Sequence, residues 1–174
     1  KIPQVISKIV CNLSINQTVN LIIKTNKDKV RIKQELKKFR NNLSKIKFHT
    51  ILTNRIWIRD SGPLFLINNK KGKKIILNFR FNGWSKYNDY QRDNKINDKI
   101  AKLIKIKKIE PTIKVKKNIK KIVLEGGAID VNGQGSILLT RECLLSKVQE
   151  RNPGVNKLNL ENTLKKYLNL KNFI

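Results

Sequence analysis

The sequence predicts a mixed α/β fold. Short runs rich in Val, Ile and Leu alternate with stretches of helical periodicity. Their order is strand, helix, strand, hairpin, helix and then further strands, the pattern of α/β or α+β packing. The length, 174 residues, suits one ordinary domain and is enough to bury a core.

Each element has a local reason. Val5, Ile6, Ile9, Val10 and Leu13 recur at helical spacing, so residues 1–13 read as the end of an amphipathic helix. Val19–Ile23 is an apolar run of strand length. Thr25 or Asn26 can cap a helix over residues 27–41, with Val30, Leu36 and Phe39 facing inward. Residues 46–52 alternate apolar and polar, as a half-buried strand does. Residues 64–67 and 75–81 form a hairpin around Asn68-Asn69-Lys70-Lys71-Gly72. A helix is predicted over 89–104, with Ile96, Ile100, Ala101 and Leu103 inward. Residues 122–124 and 128–131 read as short strands broken by Gly126-Gly127. After a turn at 132–135, residues 136–140 return as a strand. Asn159 is the expected cap of a last helix, 160–168.

Composition bounds the function. Lys and Arg number 39 against 12 Asp and Glu, a formal charge of +27. Lys (31), Asn (22) and Ile (25) make up 78 of the 174 residues, and all three have A/T-rich codons. Base composition therefore explains much of the charge, and nucleic acid is not expected as a partner on charge alone. The Lys-rich stretch 102–121 alternates with Ile and Val and lacks interleaved aromatics, so it reads as solvated strand faces. No apolar run approaches the ~20 residues of a membrane span, and none has a signal peptide's layout. Cys11 and Cys143 are too few for a disulfide scaffold or a four-cysteine zinc site, and His49 is the sole histidine. No metal or organic cofactor is expected. With no Met and a first residue Lys1, the chain reads as processed or partial.

Three segments stand out. In Trp57-Ile58-Arg59-Asp60-Ser61-Gly62-Pro63, the Gly-Pro break can end a strand and present Asp60 in a cleft. In a flat strand Trp57 and Asp60 would face opposite sides, so the chain must bend if both serve one ligand. The bland alternative is an Arg59–Asp60 pair beside a core Trp57. Residues 78–87 hold Phe79, Phe81, Trp84 and Tyr87, either a hydrophobic corner or the wall of a ligand pocket. In Glu125-Gly126-Gly127, two glycines after a carboxylate let the backbone approach another group closely, or mark a β-bulge.

Taken in order, these segments resemble the agmatine deiminase and bacterial-type peptidyl-arginine deiminase family. Its pattern runs Trp-x-Arg-Asp-x-Gly-Pro, then an Asp-x-x-Phe-Asn-x-Trp-Gly-x-Lys-Tyr-like segment, then Glu-Gly-Gly-x-Ile-x-x-x-Gly-x-Gly, Cys-Leu-Leu and Asn-Arg-Asn-Pro. The matching residues are 57–63, 78–87, 125–135, Cys143-Leu144-Leu145 and Glu150-Arg151-Asn152-Pro153. Asn78 stands where the family has Asp, Ser85 replaces a Gly, and Glu150 stands for an Asn. Family members continue to a His-x-Asp motif and a late nucleophilic Cys, which these 174 residues do not contain. The resemblance therefore implies residues 1–174 of a partial deiminase domain, truncated at both ends, with two to three of the five blades of a pentein propeller.

The chemistry implied is hydrolysis of a guanidinium to a ureido group with release of ammonia. A carboxylate can take two N–H donors of the planar cation side by side. Asp60 is expected to do so, with Trp57 and Trp84 as apolar walls and Glu125 orienting the catalytic His. A Cys thiolate would form the covalent intermediate. Agmatine is the expected substrate, yielding N-carbamoylputrescine for putrescine and polyamine metabolism. Peptidyl-arginine or arginine is the alternative, with Arg80 as a candidate partner for the extra carboxylate. A basic nucleic-acid-binding protein and an inactive gene fragment are the readings from other classes. A cytoplasmic location follows from the resemblance, no membrane partner is expected, and a homo-oligomer is allowed. Cys143 matches the internal Cys-Leu-Leu and reads as a small packed hydrophobe, not the nucleophile.

Overall fold

A computed structural model describes residues 2–39, 43–68 and 70–174. They form two compact units, Lys1–Leu52 and Thr53–Ile174.

In the first unit, helix α1 (Ile2–Asn16), strand β1 (Val19–Ile23), helix α2 (Asn26–Lys37) and strand β2 (Ile46–Thr50) follow in order. β1 and β2 pair in parallel, from Val19 opposite Ile46 to Ile23 opposite Thr50. A helix between two parallel strands is what such a connection requires. Thr25, not Asn26, caps α2. Its hydroxyl accepts from the Asp28 amide at 3.1 Å, and the Asp28 carboxylate accepts from the Thr25 amide at 3.0 Å, a closed capping box.

Val10, Cys11, Leu36 and Ile46 form the core of this unit. The buried face of α1 differs from the expected one: Ser7, Val10, Cys11 and Ser14 are inside, while Val5, Ile6, Ile9 and Leu13 are exposed. Val10 lies where the two stripes meet. Ser14 can be buried because its hydroxyl donates to the Cys11 carbonyl at 2.8 Å within the same helix. On α2, Leu36 is buried but Val30 and Phe39 are exposed. The helix ends at Lys37, and residues 40 and 41 of the expected span lie outside the described residues.

The second unit begins with a one-turn helix α3 (Ile58–Ser61), then strands β3 (Leu64–Asn68) and β4 (Lys73–Leu77). These two form the expected hairpin, Leu64 opposite Leu77, whose turn includes Asn69, outside the described residues. β4, which also pairs in parallel with residues Lys108–Ile109, ends at Leu77 rather than Phe81 because the chain changes partners after Asn78, to Ile122. The Asn78 amide donates to the Ile109 carbonyl (2.8 Å), and the Arg80 amide to the Ile122 carbonyl (3.0 Å). Helix α4 (Ile96–Ile104) buries Ile96 and Ala101 but exposes Leu103. Strands β5 (Lys108–Ile109), β6 (Thr112–Val115) and β7 (Asn118–Lys121) follow, and β7 is exposed throughout, a solvated lysine face. Residues 122–124 make only a bridge, Arg80 to Val123, instead of a strand.

Strands β8 (Ile129–Val131) and β9 (Ser136–Leu139) pair antiparallel. Helices α5 (Arg141–Leu145) and α6 (Lys157–Leu168) precede β10 (Asn172–Phe173), which runs parallel to β9. α6 starts earlier than expected because Asn156, whose side chain accepts from the Asn159 amide at 2.8 Å, is its cap. The sequence reading misses α5 and β10. A two-residue strand has no periodicity to read, and β10 is placed by backbone bonds to Gly135 and Ile137. One core, including Leu77, Phe79, Ile122, Leu124, Ile137, Leu144 and Leu164, ties this unit together, and Cys143 is half-buried against it. No helix among the described residues is long and apolar enough to cross a membrane.

Candidate functional site

The bend that Trp57 and Asp60 require is present. The chain does not run on as a strand but turns through α3, with the Asp60 amide donating to the Trp57 carbonyl at 3.2 Å. Trp57 heads this turn and is 59% exposed. Asp60 is half-buried. The Arg59–Asp60 structural pair does not form: Arg59 donates to the Ile129 carbonyl at 3.2 Å, and Asp60 Oδ2 instead accepts from Trp84 Nε1 at 3.2 Å.

Trp84 occupies a left-handed backbone position, φ 57°, inside a 3-10 turn of residues 83–85. Asn82 supports this uncommon geometry by accepting from the Ser85 amide at 3.2 Å. The indole meets Phe81 and Tyr87 edge-on at 5.1 and 6.0 Å between centroids, so the aromatic segment is a built wall beside Asp60. Arg55 lies over the Trp84 and Tyr87 rings at 5.4 and 4.6 Å and pairs with Asp89 at 2.5 Å. That hydrogen bond from Arg55 lowers the Asp89 pKa. The Arg55 segment is fixed by Asp93, 1% exposed, which accepts from the Asn54 amide at 2.7 Å and from the Arg55 amide at 3.2 Å.

The two glycines of Glu125-Gly126-Gly127 approach α3. A Cβ on Gly126 would lie within 3.0 Å of the Arg59 carbonyl oxygen, and one on Gly127 within 3.0 Å of Asp60 Oδ1. Neither glycine has a positive φ, so it is the missing side chain, not backbone freedom, that matters here. This approach brings Glu125 and Asp60 together, near enough that the Asp60 charge helps to raise the Glu125 pKa. Burial is the larger cause of that rise, since Glu125 is 2% exposed; Arg151 opposes it.

Arg151 is the residue that sequence reasoning passed over. It is 5% exposed, and its Nε donates to Glu125 Oε1 at 2.7 Å. Its neighbour Asn152 takes both backbone groups of Val123, accepting from the amide and donating to the carbonyl at 2.8 Å each. The signal was in the Arg151-Asn152-Pro153 motif, but nothing local tells which carboxylate an arginine will meet. Arg55 and Asp93 left no such signal.

An open cavity of about 890 Å³ in this unit is lined by Arg80, Asn82, Tyr90, Asp98, Glu110 and Lys121, among others, but not by Trp57, Asp60, Trp84 or Glu125. Within it Glu110 pairs with Lys108 at 2.8 Å and with Lys121, and these cations hold its pKa down to about 2. Lys108 also pairs with Asp98, to which Asn78 donates at 3.2 Å. His49 lies in the other unit, hydrogen-bonded to Asn20 at 2.8 Å.

This arrangement joins a half-exposed carboxylate, an aromatic wall and a second, buried carboxylate. Chemically it can hold a planar cation. In sequence and fold the chain is similar to known proteins. A model of the Porphyromonas-type peptidyl-arginine deiminase family matches residues 1–174. A Listeria monocytogenes protein provisionally named agmatine deiminase 1 is 37% identical over 123 residues, which are 68% of this chain and 31% of the relative. The structure of a C. jejuni agmatine deiminase variant with substrate bound superposes with a TM-score of 0.77 at 31% identity, over 99% of this chain and 46% of that one. Agmatine deiminase of Enterococcus faecalis superposes with a TM-score of 0.75 at 26% identity, over 95% of this chain and 42% of that one. The chain thus spans about a third of the length of the curated relatives it matches. On a family match over its whole length, the chain belongs to the Porphyromonas-type peptidyl-arginine deiminase family.

Proposed function

We propose that the chain forms the substrate-anchoring part of a hydrolase that converts agmatine to N-carbamoylputrescine and ammonia. The observation that carries this reading is the Asp60 carboxylate, oriented by Trp84 and set against Gly127 next to buried Glu125. Two oxygens on a fixed carboxylate accept two N–H donors of a guanidinium and fix its plane. Trp84 flanks the cation, and exposed Trp57 adds a second apolar face. Glu125 orients a histidine that moves protons, and a Cys thiolate attacks the guanidinium carbon. With His49 the sole histidine and no His-x-Asp in the sequence, those groups come from residues beyond these 174. Residues 1–174 are then part of a pentein domain, two to three of its five blades, and do not turn over substrate alone.

Agmatine is preferred to arginine or peptidyl-arginine because it has no carboxylate to neutralise. Arg80, the cation considered for that task, is exposed and lines the cavity that excludes Asp60. Relatives named as agmatine deiminases support agmatine as substrate, and on this reading turnover takes place in the cytoplasm and feeds polyamine synthesis.

Asp60→Asn in the complete protein tests the reading. Asparagine still accepts from Trp84 but loses the charge and one acceptor. Ureido-product formation from agmatine is expected to fall by orders of magnitude with the fold intact. A loss of only a few-fold would make Asp60 structural.

A further inference from the structure

Glu125 and Trp84 approach Asp60 from different parts of the chain, and one short segment connects them. Ser85 Oγ donates to the Glu150 carbonyl at 3.0 Å, and Asn82 Nδ2 to the Arg151 carbonyl at 3.3 Å, so the turn carrying Trp84 rests on residues 150–151. The Arg151 side chain meets Glu125, and Asn152 clamps Val123 two residues before it. Asp60, Trp84, Arg151 and Glu125 therefore form a closed ring of contacts, completed where Gly127 meets Asp60.

We infer that Arg151 is a positioning residue for the deiminase reaction: its guanidinium holds Glu125 at Oε1 and leaves Oε2 for an N–H donor arriving beside Asp60. This role rests on the function proposed above. Among the described residues, no hydrogen bond to Oε2 is formed. Arg151 Nη1 itself donates to the Gln149 carbonyl at 2.5 Å, which leaves the side chain little freedom to swing. A single-point hold fixes the direction of the second oxygen, which a buried carboxylate without a partner would not keep.

The charged groups acting on Glu125 are Arg151 and, from α3, Asp60; the Arg59 side chain runs beside Gly126 and donates to the Ile129 carbonyl. Burial and Asp60 favour the protonated acid, and Arg151 favours the carboxylate. A carboxylate accepts an N–H more strongly than the neutral acid does, so Arg151, by opposing the rise, also favours the better-accepting form.

The test uses the complete protein with Arg151→Met and Arg151→Lys. Carboxyl carbon NMR follows the Glu125 titration, and the pH profile of agmatine turnover is read alongside. In Arg151→Met the Glu125 midpoint is expected to rise by at least about one unit, a tenfold change in acidity. The acid limb of kcat is expected to move up with it while KM changes little, and Arg151→Lys is expected to restore part of both. A midpoint unmoved in Arg151→Met overturns the inference. So does a moved midpoint with an unchanged kcat profile, which leaves the deiminase reading standing. If the unsubstituted protein turns over no agmatine while the midpoint still moves, the deiminase reading fails and the positioning role falls with it. If Arg151→Met does not fold, the Lys variant decides by the same two readouts.

Discussion

Gly127→Ala isolates the contact that builds the site. Gly127 does not use a left-handed backbone, so alanine meets no torsional penalty there. By shortening the list of unfolded conformations, alanine alone would stabilise the fold by about 0.4–1 kcal/mol. Against this, its Cβ would lie within 3.0 Å of Asp60 Oδ1 and 3.3 Å from Cγ, so the carboxylate must give way by ~1 Å. Asp60 is short, and its backbone is held in the α3 turn, so it cannot yield as the end of a long side chain would. Overpacking of this kind costs about 1–3 kcal/mol. Strain on the Trp84–Asp60 hydrogen bond, at 3.2 Å, adds to that. The steric cost wins, and net destabilisation of about 1–2 kcal/mol is expected. Denaturant unfolding measures it, and the Trp84 indole N–H resonance reports the displaced carboxylate directly. If Asp60 anchors the guanidinium, a ~1 Å shift also lowers agmatine turnover by about a hundredfold. An Ala variant as stable as the parent, with an unmoved Trp84 indole signal, would refute the close approach.

Two further outcomes follow from the same contacts. Asn152→Ala removes two hydrogen bonds from a buried backbone and leaves both Val123 groups unpaired, so chemical denaturation should find it less stable by about 2–4 kcal/mol. Glu110 has its pKa lowered from 4.5 to about 2 by Lys108 and Lys121, so its contribution to stability is present above about pH 4.5 and lost as the pH falls toward 2. Glu125, with its pKa raised, acts in the opposite sense, favouring the folded state as it takes up its proton. Acid unfolding curves of Glu110→Gln should therefore lose the low-pH dependence that this residue supplies.

Elements set by neighbours in sequence were legible from the sequence. The alternation of 46–52 and the apolar run 19–23 become the two parallel strands of the first unit, and Thr25 caps the helix between them. The Glu-Gly-Gly segment was readable as a place of close approach because two missing side chains mark the space another group needs. What it approaches was not readable. Hydrophobic spacing could not show that α1 would bury its serine stripe rather than Val5, Ile6 and Ile9, because the choice depends on what packs against the helix. Nor could residues 78–81 reveal that they would pass from Ile109 to Ile122, since extended backbone offers the same groups to any strand within reach. Asp60, Trp84, Glu125 and Arg151 come from four separate segments. Side-chain chemistry could mark each as able to bind a cation or pair a charge, but which carboxylate meets which donor is a matter of distance. Distance between remote segments is decided only when the whole unit packs.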